Sequence, residues 1–333
     1  MSLKLPLQSL KTLVAGVGSA LVDIVLTESE DFLAKSGAQK GGMTLVDGSR
    51  IQSVIAKSAV QPAIVSGGSA CNTVVGIGRL GGPARFVGKR GSDDLGELLE
   101  KDLLANNVEP VLFRSATPTG RVLSIVTPDA QRSMLTFLGA SSETLPQEVA
   151  QSRFADAAIV HLEGYLLFNE SLILAALESA RASNALVSLD LASYTVVEAS
   201  KKILGDIIRD YVDIVIANED ESAAYTGERD EARALAILAQ EAEIAVVKIG
   251  KRGSLIAHHG EITRIGIMGS GDALDTTGAG DLWAAGFLYG LAHGYTVEQA
   301  GRLGAACGYE VCRVVGAHIP DEGWKRIEKL KLR

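Results

Sequence analysis

Short runs of β-branched and aliphatic residues alternate with amphipathic segments over most of this 333-residue chain. Such runs, bounded by turn residues, are typical of buried strands, and the segments between them carry apolar residues at helical spacing. Buried strands that alternate with helices form parallel sheets through right-handed crossovers. The sequence therefore predicts an α/β fold with three α/β/α layers and a doubly wound, mostly parallel sheet. We expect its strands at residues 12–17, 63–65, 85–87, 158–162, 186–190, 214–217 and 244–249.

Two stretches break this alternation. Residues 21–26 with 43–46, and residues 111–114 with 121–127 and 132–138, look like strands with no helix between them. Residues 121–127 and 132–138 flank turn residues at 128–131, which is typical of a hairpin. We therefore predict a small β-sheet lid, inserted in two pieces at about residues 20–47 and 111–139 into a single domain that spans residues 1–333.

The charge balance limits the partners. The chain has 32 Lys and Arg against 40 Asp and Glu, a formal net charge of −8. Such a surface repels phosphate backbones and anionic lipids, so the composition argues against nucleic-acid and membrane partners, although a local site can still bind an anion. The three cysteines form no CxxC pair, and neither a signal peptide nor a membrane span is recognisable. We expect a cytoplasmic protein.

The most informative local sequence is Asp-Thr-Thr-Gly-Ala-Gly-Asp at residues 275–281, directly before an apolar helix. Gly278 and Gly280 allow the backbone to present successive N–H groups at the helix N-terminus, where the helix dipole favours a phosphate. Asp281 would stand beside that anion site and could accept a proton from an attacking hydroxyl. A plain glycine-rich loop with an Asp that stabilises the helix start explains these residues equally well.

Residues 275–281 resemble the C-terminal signature of the ribokinase-like (PfkB) carbohydrate kinase family. Residues 66–72, Ser-Gly-Gly-Ser-Ala-Cys-Asn, with residues 76–82, Gly-Ile-Gly-Arg-Leu-Gly-Gly, resemble the N-terminal signature of the same family. The similarity extends from about residue 13 to residue 320. It implies a ribokinase-like fold with a lid and transfer of the γ-phosphoryl group of ATP, with Mg²⁺, to a hydroxyl of a sugar or a nucleoside.

The resemblance also implies roles for individual residues. Asp281 matches the catalytic base, and the backbone amides of Gly278, Ala279 and Gly280 match the group that stabilises the transferring phosphoryl. Glu221 matches a residue that orders Mg²⁺ through water, but Asn218 and Glu221 also fit a helix capping box. The residues implied to bind the nucleotide are Asn218, Lys248, Gly250 and Gly253.

Two further sets of residues follow from the resemblance. Asp275 and Thr277 match positions that hold a monovalent cation such as K⁺ in several relatives, and plain loop structure is an equal alternative. Ser69 occupies a position that is Ser in adenosine-kinase-type members. Arg132 also resembles an arginine of that group. These two residues therefore favour a nucleoside as the acceptor. The residues implied to bind the acceptor are Asp23, Gly41, Gly42, Gly68, Asn72 and Arg132.

Other functions were weighed against this one. A dinucleotide-binding turn near residues 16–23 lacks its third glycine, since position 21 is Leu, and Asp23 comes too early to bind a ribose. The stronger alternative is a non-catalytic relative that binds a sugar or nucleotide as a regulatory subunit. The intact Asp281 and the Asn-x-x-Glu motif argue against it. The lid sheet either pairs with a second copy, giving a homodimer, or faces solvent.

Overall fold

The computed structural model describes residues 11–129, 131–270 and 273–331. No helix within these ranges combines the length and the apolar character needed to cross a bilayer. The strands are β1 (Leu13–Val17), β2 (Leu21–Thr27), β3 (Met43–Leu45), β4 (Ala63–Gly67), β5 (Ala84–Gly91), β6 (Val108–Ser115), β7 (Gly120–Val126), β8 (Arg132–Phe137), β9 (Ala157–Glu163), β10 (Leu186–Asp190), β11 (Ile214–Asn218), β12 (Ile244–Lys248), β13 (Ser254–His258) and β14 (Glu261–Ile265).

Helices connect most of these strands. Short 3₁₀ turns also occur, for example at Gly164–Phe168 after β9 and at Gly250–Arg252 after β12. The helices are α1 (Glu30–Ser36), α2 (Gly48–Ile55), α3 (Ser69–Arg79), α4 (Asp94–Ala105), α5 (Glu170–Ala182), α6 (Tyr194–Tyr211), α7 (Glu219–Thr226), α8 (Glu231–Leu238), α9 (Ala279–Ala292), α10 (Val297–Val311) and α11 (Asp321–Glu328).

The described residues form a large sheet of nine strands, in the order β14-β13-β12-β11-β10-β9-β1-β5-β6. The strands from β12 to β6 pair in parallel, and β13 and β14 add an antiparallel edge. From β1 the chain first builds outward through β5 and β6, and then outward on the other side from β9. This reversal confirms the predicted α/β, doubly wound, mostly parallel sheet.

Residues that alternate along the strands fill the two sides of the large sheet. Val14 of β1 and Ile159 of β9 pack with α3, α9 and α10 in one apolar cluster. Their neighbours Ala15 and Val160 pack with α5, α6 and α8 in the other. A strand that is apolar at every position can contribute to both clusters, because successive side chains point to opposite faces. The three-layer arrangement follows from this pattern.

The second sheet has five strands among the described residues, in the order β3-β8-β7-β2-β4. Its outer face carries Ile24, Leu123 and Leu135, which pack with α1 and α2. Side chains one position away along the same strands, such as Asp23 and Met134, face a cavity against the large sheet. The period of two therefore separates an apolar outer face from a mixed inner face.

The predicted lid boundaries need correction. Residues 111–114 belong to β6, which pairs with β5 at the edge of the large sheet, whereas residues 63–65 belong to β4 of the small sheet. The first piece also contains α1, where no helix was expected, and α2 follows directly after its predicted end. The small sheet thus uses residues 21–67 and 120–137. The predicted hairpin is present as β7 and β8, and residue 130 of its turn lies outside the described residues.

Candidate active site

A cavity of about 300 Å³ lies where the carboxyl ends of β9 to β12 face the inner side of the small sheet. In doubly wound sheets the crevice at this edge, next to the point where the strand order reverses, is the usual ligand site. Eleven of the residues predicted from the sequence line it: Asp23, Gly68, Asn72, Arg132, Asn218, Glu221, Lys248, Gly278, Ala279, Gly280 and Asp281.

Asp281 lies in the first turn of α9, and α3 holds its carboxylate. Ser69 Oγ donates to Asp281 Oδ1 at 2.8 Å, and Asn72 Nδ2 donates to Asp281 Oδ2 at 2.9 Å. Burial raises the pKa of Asp281 above its usual value, while these two hydrogen bonds oppose the rise. The carboxylate is therefore fixed in orientation and more basic than a surface aspartate, as proton transfer from a hydroxyl requires.

The start of α9 lies beside Lys248 and is suited to an anion. Gly278 is the N-cap residue, in a left-handed conformation with φ of 72°. The ammonium of Lys248 lies so close to Gly280 that a Cβ on this glycine would be 2.8 Å from Lys248 Nζ. The Ala279 N–H donates to the Thr276 carbonyl at 3.1 Å, which leaves the N–H groups of Gly278 and Gly280 at this helix start. Free N–H groups of a helix N-terminus and an adjacent ammonium together favour a phosphate group.

Lys248 is held by a carboxylate that the sequence analysis did not single out. Its Nζ donates to Asp190 Oδ2 at 2.8 Å, and Asp190 Oδ1 accepts from the backbone N–H of Ala192 at 2.9 Å. Burial disfavours the charged form of Lys248, but the carboxylates of Asp190 and Glu221 outweigh it and raise its pKa. The lysine therefore stays an ammonium inside the cavity.

Asn218 and Glu221 form the capping box of α7, the structural alternative considered for this pair. Asn218 Oδ1 accepts from the Glu221 backbone N–H at 2.9 Å, and Glu221 Oε2 accepts from the Asn218 backbone N–H at 2.8 Å. Both residues also line the cavity. Burial, with the nearby Asp190 carboxylate, raises the pKa of Glu221. Capping and a role in the cavity are compatible, because each carboxylate oxygen has a second lone pair.

Asp23 lies on the inner face of the small sheet and is 6 % exposed. Its carboxylate accepts no hydrogen bond from any residue that the structure describes. Burial raises the pKa of Asp23 to about 6, although the nearby Arg132 lowers it. A buried carboxylate without a partner is costly, so this arrangement favours a ligand that donates hydrogen bonds to it.

Glu163 is a second residue that the sequence analysis missed. It ends β9 and is 1 % exposed. Its Oε1 accepts from the Ser19 backbone N–H at 2.8 Å and its Oε2 from the Ala70 backbone N–H at 3.1 Å. Burial still raises the pKa of Glu163 to about 7. The side chain ties the start of α3 to the segment after β1, and thereby positions the helix that holds Asp281.

A sequence signal for these residues exists. Glu163 and Asp190 are each the last residue of a mostly apolar strand, and the carboxyl ends of such strands surround the usual ligand site. The apolar part of the cavity carries no such signal, because its side chains come from the small sheet and the segments next to it. These residues are Leu21, Met43, Val122, Met134 and Leu138.

The remaining predicted residues do not line the cavity. Asp275 accepts hydrogen bonds from Thr277 N and Oγ1, at 2.9 and 2.7 Å, and from Gly316 N at 2.8 Å, so it joins the loop before α9 to the segment after α10. These contacts bring together the residues predicted to hold a monovalent cation. The loop that contains Gly41 and Gly42 lies against β8. Gly250 begins the 3₁₀ turn after β12, and Gly253 follows it.

The cavity carries an excess of negative charge. Among the described residues that line it, two side chains are cationic, Arg132 and Lys248, and five are carboxylates. A polyphosphate would be repelled by such a site unless a divalent cation accompanied it. The carboxylates are Asp23, Glu163, Asp190, Glu221 and Asp281.

Comparison with known proteins shows the family of the chain. A family model described as pfkB family carbohydrate kinase matches residues 45–323. Among curated proteins, the chain is 27 % identical over 281 residues to a 5-dehydro-2-deoxygluconokinase of Geobacillus thermodenitrificans, covering 80 % of this chain and 82 % of that protein.

Solved structures give a higher identity. A probable sugar kinase of Rhizobium etli has a TM-score of 0.89 and 32 % identity, and the match covers 95 % of this chain and 97 % of that one. The adenosine kinase of Sinorhizobium meliloti also has a TM-score of 0.89 and 32 % identity, with 96 % and 99 % covered. The relatives therefore include kinases named for sugars and for a nucleoside.

The raised pKa of Asp23 predicts a pH-dependent stability. A carboxyl group whose pKa is higher in the folded state stabilises the fold fully below its unfolded pKa, and this contribution is lost as the pH rises through about 6. We expect Asp23→Asn, which cannot ionise, to gain roughly 2 to 3 kcal/mol relative to wild type between pH 4 and pH 7.5. Urea unfolding at both pH values measures this difference.

The exposed Asp47 provides a matched control. Asp47→Asn removes the same charge from the surface, and its free energy of unfolding relative to wild type should change little over this pH range. A difference between Asp23→Asn and wild type that is the same at pH 4 and pH 7.5 would contradict the assignment of a raised pKa to Asp23.

Proposed function

The chain belongs to the pfkB family of carbohydrate kinases and is an ATP-dependent kinase of sugar or nucleoside hydroxyls, and we propose that its acceptor is a nucleoside such as adenosine. The observation that carries this proposal is that Asp23 lies beside apolar side chains in the cavity. We call these side chains, Met43, Val122 and Met134, the apolar wall. The names of the relatives alone do not distinguish a sugar from a nucleoside as the acceptor.

The distribution of polar and apolar groups in the cavity supports a nucleoside as the acceptor. Asp23 can accept two hydrogen bonds, as the vicinal hydroxyls of a ribose would supply. Around it, Met43, Val122 and Met134 offer apolar surface, which suits the flat face of a base. A free sugar has hydroxyl groups around its whole ring, and several of them would lose hydrogen bonds to water against this wall.

Different residues of the chain would then have different roles in phosphoryl transfer. Asp281, oriented by Ser69 and Asn72, would accept the proton of the acceptor hydroxyl as the hydroxyl oxygen bonds to the γ-phosphorus of ATP and the bond from that phosphorus to ADP breaks. The backbone N–H groups at Gly278 and Gly280 would stabilise the negative charge that the transferring phosphoryl carries. The N–H of Ala279 donates to the Thr276 carbonyl at 3.1 Å and would have to leave it to join them.

The cavity also fits ATP with Mg²⁺. Lys248 beside Gly280 provides a cation at the anion site, and the surplus carboxylates provide the oxygen donors that Mg²⁺ prefers. When bound, ATP supplies the phosphoryl group and Mg²⁺ neutralises phosphate charge. We place Asn218, Lys248, Gly250 and Gly253 towards the nucleotide, and Glu221 towards Mg²⁺ through water.

One observation favours a second class of acceptor. Arg132 lines the cavity close to Asp23, and its guanidinium makes no hydrogen bond to the described residues. An arginine in this position would bind the carboxylate of a sugar acid. A sugar acid is therefore the second candidate, and it belongs in any panel of acceptors.

Three other parts of the proposal concern the surroundings of the reaction. Asp275 and Thr277 would hold K⁺. The acceptor pocket would be completed by Gly41, Gly42, Gly68 and Asn72. The location would be cytoplasmic.

We also propose a homodimer through the small sheet, because β4 is an edge strand and Ile64 on it is 48 % exposed. A monomeric mass by light scattering would contradict the dimer.

An acceptor panel tests the proposed function. Release of ADP from Mg-ATP is measured with adenosine, guanosine and inosine, with ribose and fructose, and with 2-keto-3-deoxygluconate, each with and without K⁺. We expect kcat/KM for the best nucleoside to exceed that for ribose by at least about 100-fold, since ribose lacks the base that packs on the apolar wall.

Two comparisons make the panel decisive. Asp23→Asn should raise KM for the nucleoside by about tenfold or more while ATP binding stays near that of wild type. A preference for ribose or fructose over every nucleoside would contradict the proposal. A preference for the sugar acid that Arg132→Gln abolishes would replace it with the second candidate, and a rate unaffected by K⁺ would contradict a K⁺ requirement.

A further inference from the structure

Glu243, His258 and His259 meet at the opposite end of β12 from the cavity. Glu243 directly precedes β12, His258 ends β13, and the two strands pair so that Ile244 is opposite His258. Lys248, at the other end of β12, lies in the cavity, five residues along the chain from Glu243 and roughly 16 Å away. The cluster is therefore separate from the active site.

The turn between β13 and β14 brings the two imidazoles together. Consecutive strand residues normally point to opposite faces, but His259 has φ of 51° and is followed by Gly260 with φ of 80°. In this two-residue turn the rings of His258 and His259 lie with their centroids 3.9 Å apart. Few residues other than glycine adopt a positive φ, and histidine is among the more frequent exceptions.

The three side chains present potential metal ligands to one point. One ligand atom from each of Glu243, His258 and His259 lies within 4.8 Å of the others, and His259 Nε2 is 3.9 Å from Glu243 Oε1. His258 Nε2 is buried and has no hydrogen-bond partner among the described residues. A buried ring nitrogen in this state is a donor atom available to a metal.

The donor set selects the class of metal. Two imidazole nitrogens and one carboxylate oxygen suit Zn²⁺, whereas Mg²⁺ and Ca²⁺ prefer oxygen ligands alone. Donors on a tetrahedral Zn²⁺ lie about 3.4 Å apart, and the half-exposed His259 can rotate to close the remaining gap.

We propose that Glu243, His258 and His259 form a zinc site that fastens β13 and its turn to the start of β12. Three protein ligands leave a fourth position for water. The bound ion joins the antiparallel edge of the large sheet to its parallel part, and its contribution is to stability rather than to phosphoryl transfer.

Zinc binding to the full-length protein tests this site. Isothermal titration with ZnCl₂ in metal-free buffer should show one site with a dissociation constant in the micromolar range or below. Glu243→Gln and His259→Asn should each weaken this binding at least about tenfold, since each removes a ligand. Asparagine tolerates the positive φ of residue 259, so the second variant keeps the turn.

A stability measurement and a control accompany the titration. Zinc at a hundredfold excess over its dissociation constant should raise the Tm of wild type by about 4 °C, and the Tm of the two variants much less. His318→Ala removes an exposed histidine away from the cluster and should bind zinc as wild type does. Equal zinc affinity in wild type, Glu243→Gln and His259→Asn would overturn the proposal, as would a wild-type protein that binds no zinc.

Discussion

The site depends on the contact between the N-terminal turns of α3 and α9. Ser69 and Asn72 on α3 donate to the Asp281 carboxylate, and Thr73 Oγ1 donates to the Asp281 backbone carbonyl at 3.1 Å. These bonds require the helices to pack closely, and Gly76 permits it, because a Cβ there would come within 2.6 Å of Ala285 Cβ on α9. Two segments more than 200 residues apart thus form one rigid unit.

Around this unit the chain buries carboxylates at a cost to its stability. Asp23, Glu163 and Asp281 all have raised pKa values because burial disfavours their charged forms. Glu163 is compensated by two backbone N–H groups, and Asp281 by side chains of α3. Asp23 has no such compensation from the described residues, which is typical of a group whose partner is a ligand.

The sequence predicts the large sheet well and the small one less well. Apolar strands separated by helices leave little choice of topology, but β6 has no helix after it, so its pairing with β5 was not visible. The helices α1 and α2, of seven and eight residues, lie beside the strands of the small sheet and were not predicted. In the site, the glycine-rich signatures pointed to Asp281 and Asn72. Glu163 and Asp190 were not predicted as site residues, because a single acidic residue at the end of a strand is also typical of a turn.

The central claim is that Asp281 takes the proton from the acceptor while other groups bind ATP. Its most direct test compares kcat and the ATP dissociation constant of wild type and Asp281→Asn, with the exposed Asp47→Asn as the matched charge control. The account predicts that kcat falls by about 100- to 10,000-fold in Asp281→Asn while ATP affinity changes by less than about threefold. Turnover within about tenfold of wild type would contradict it.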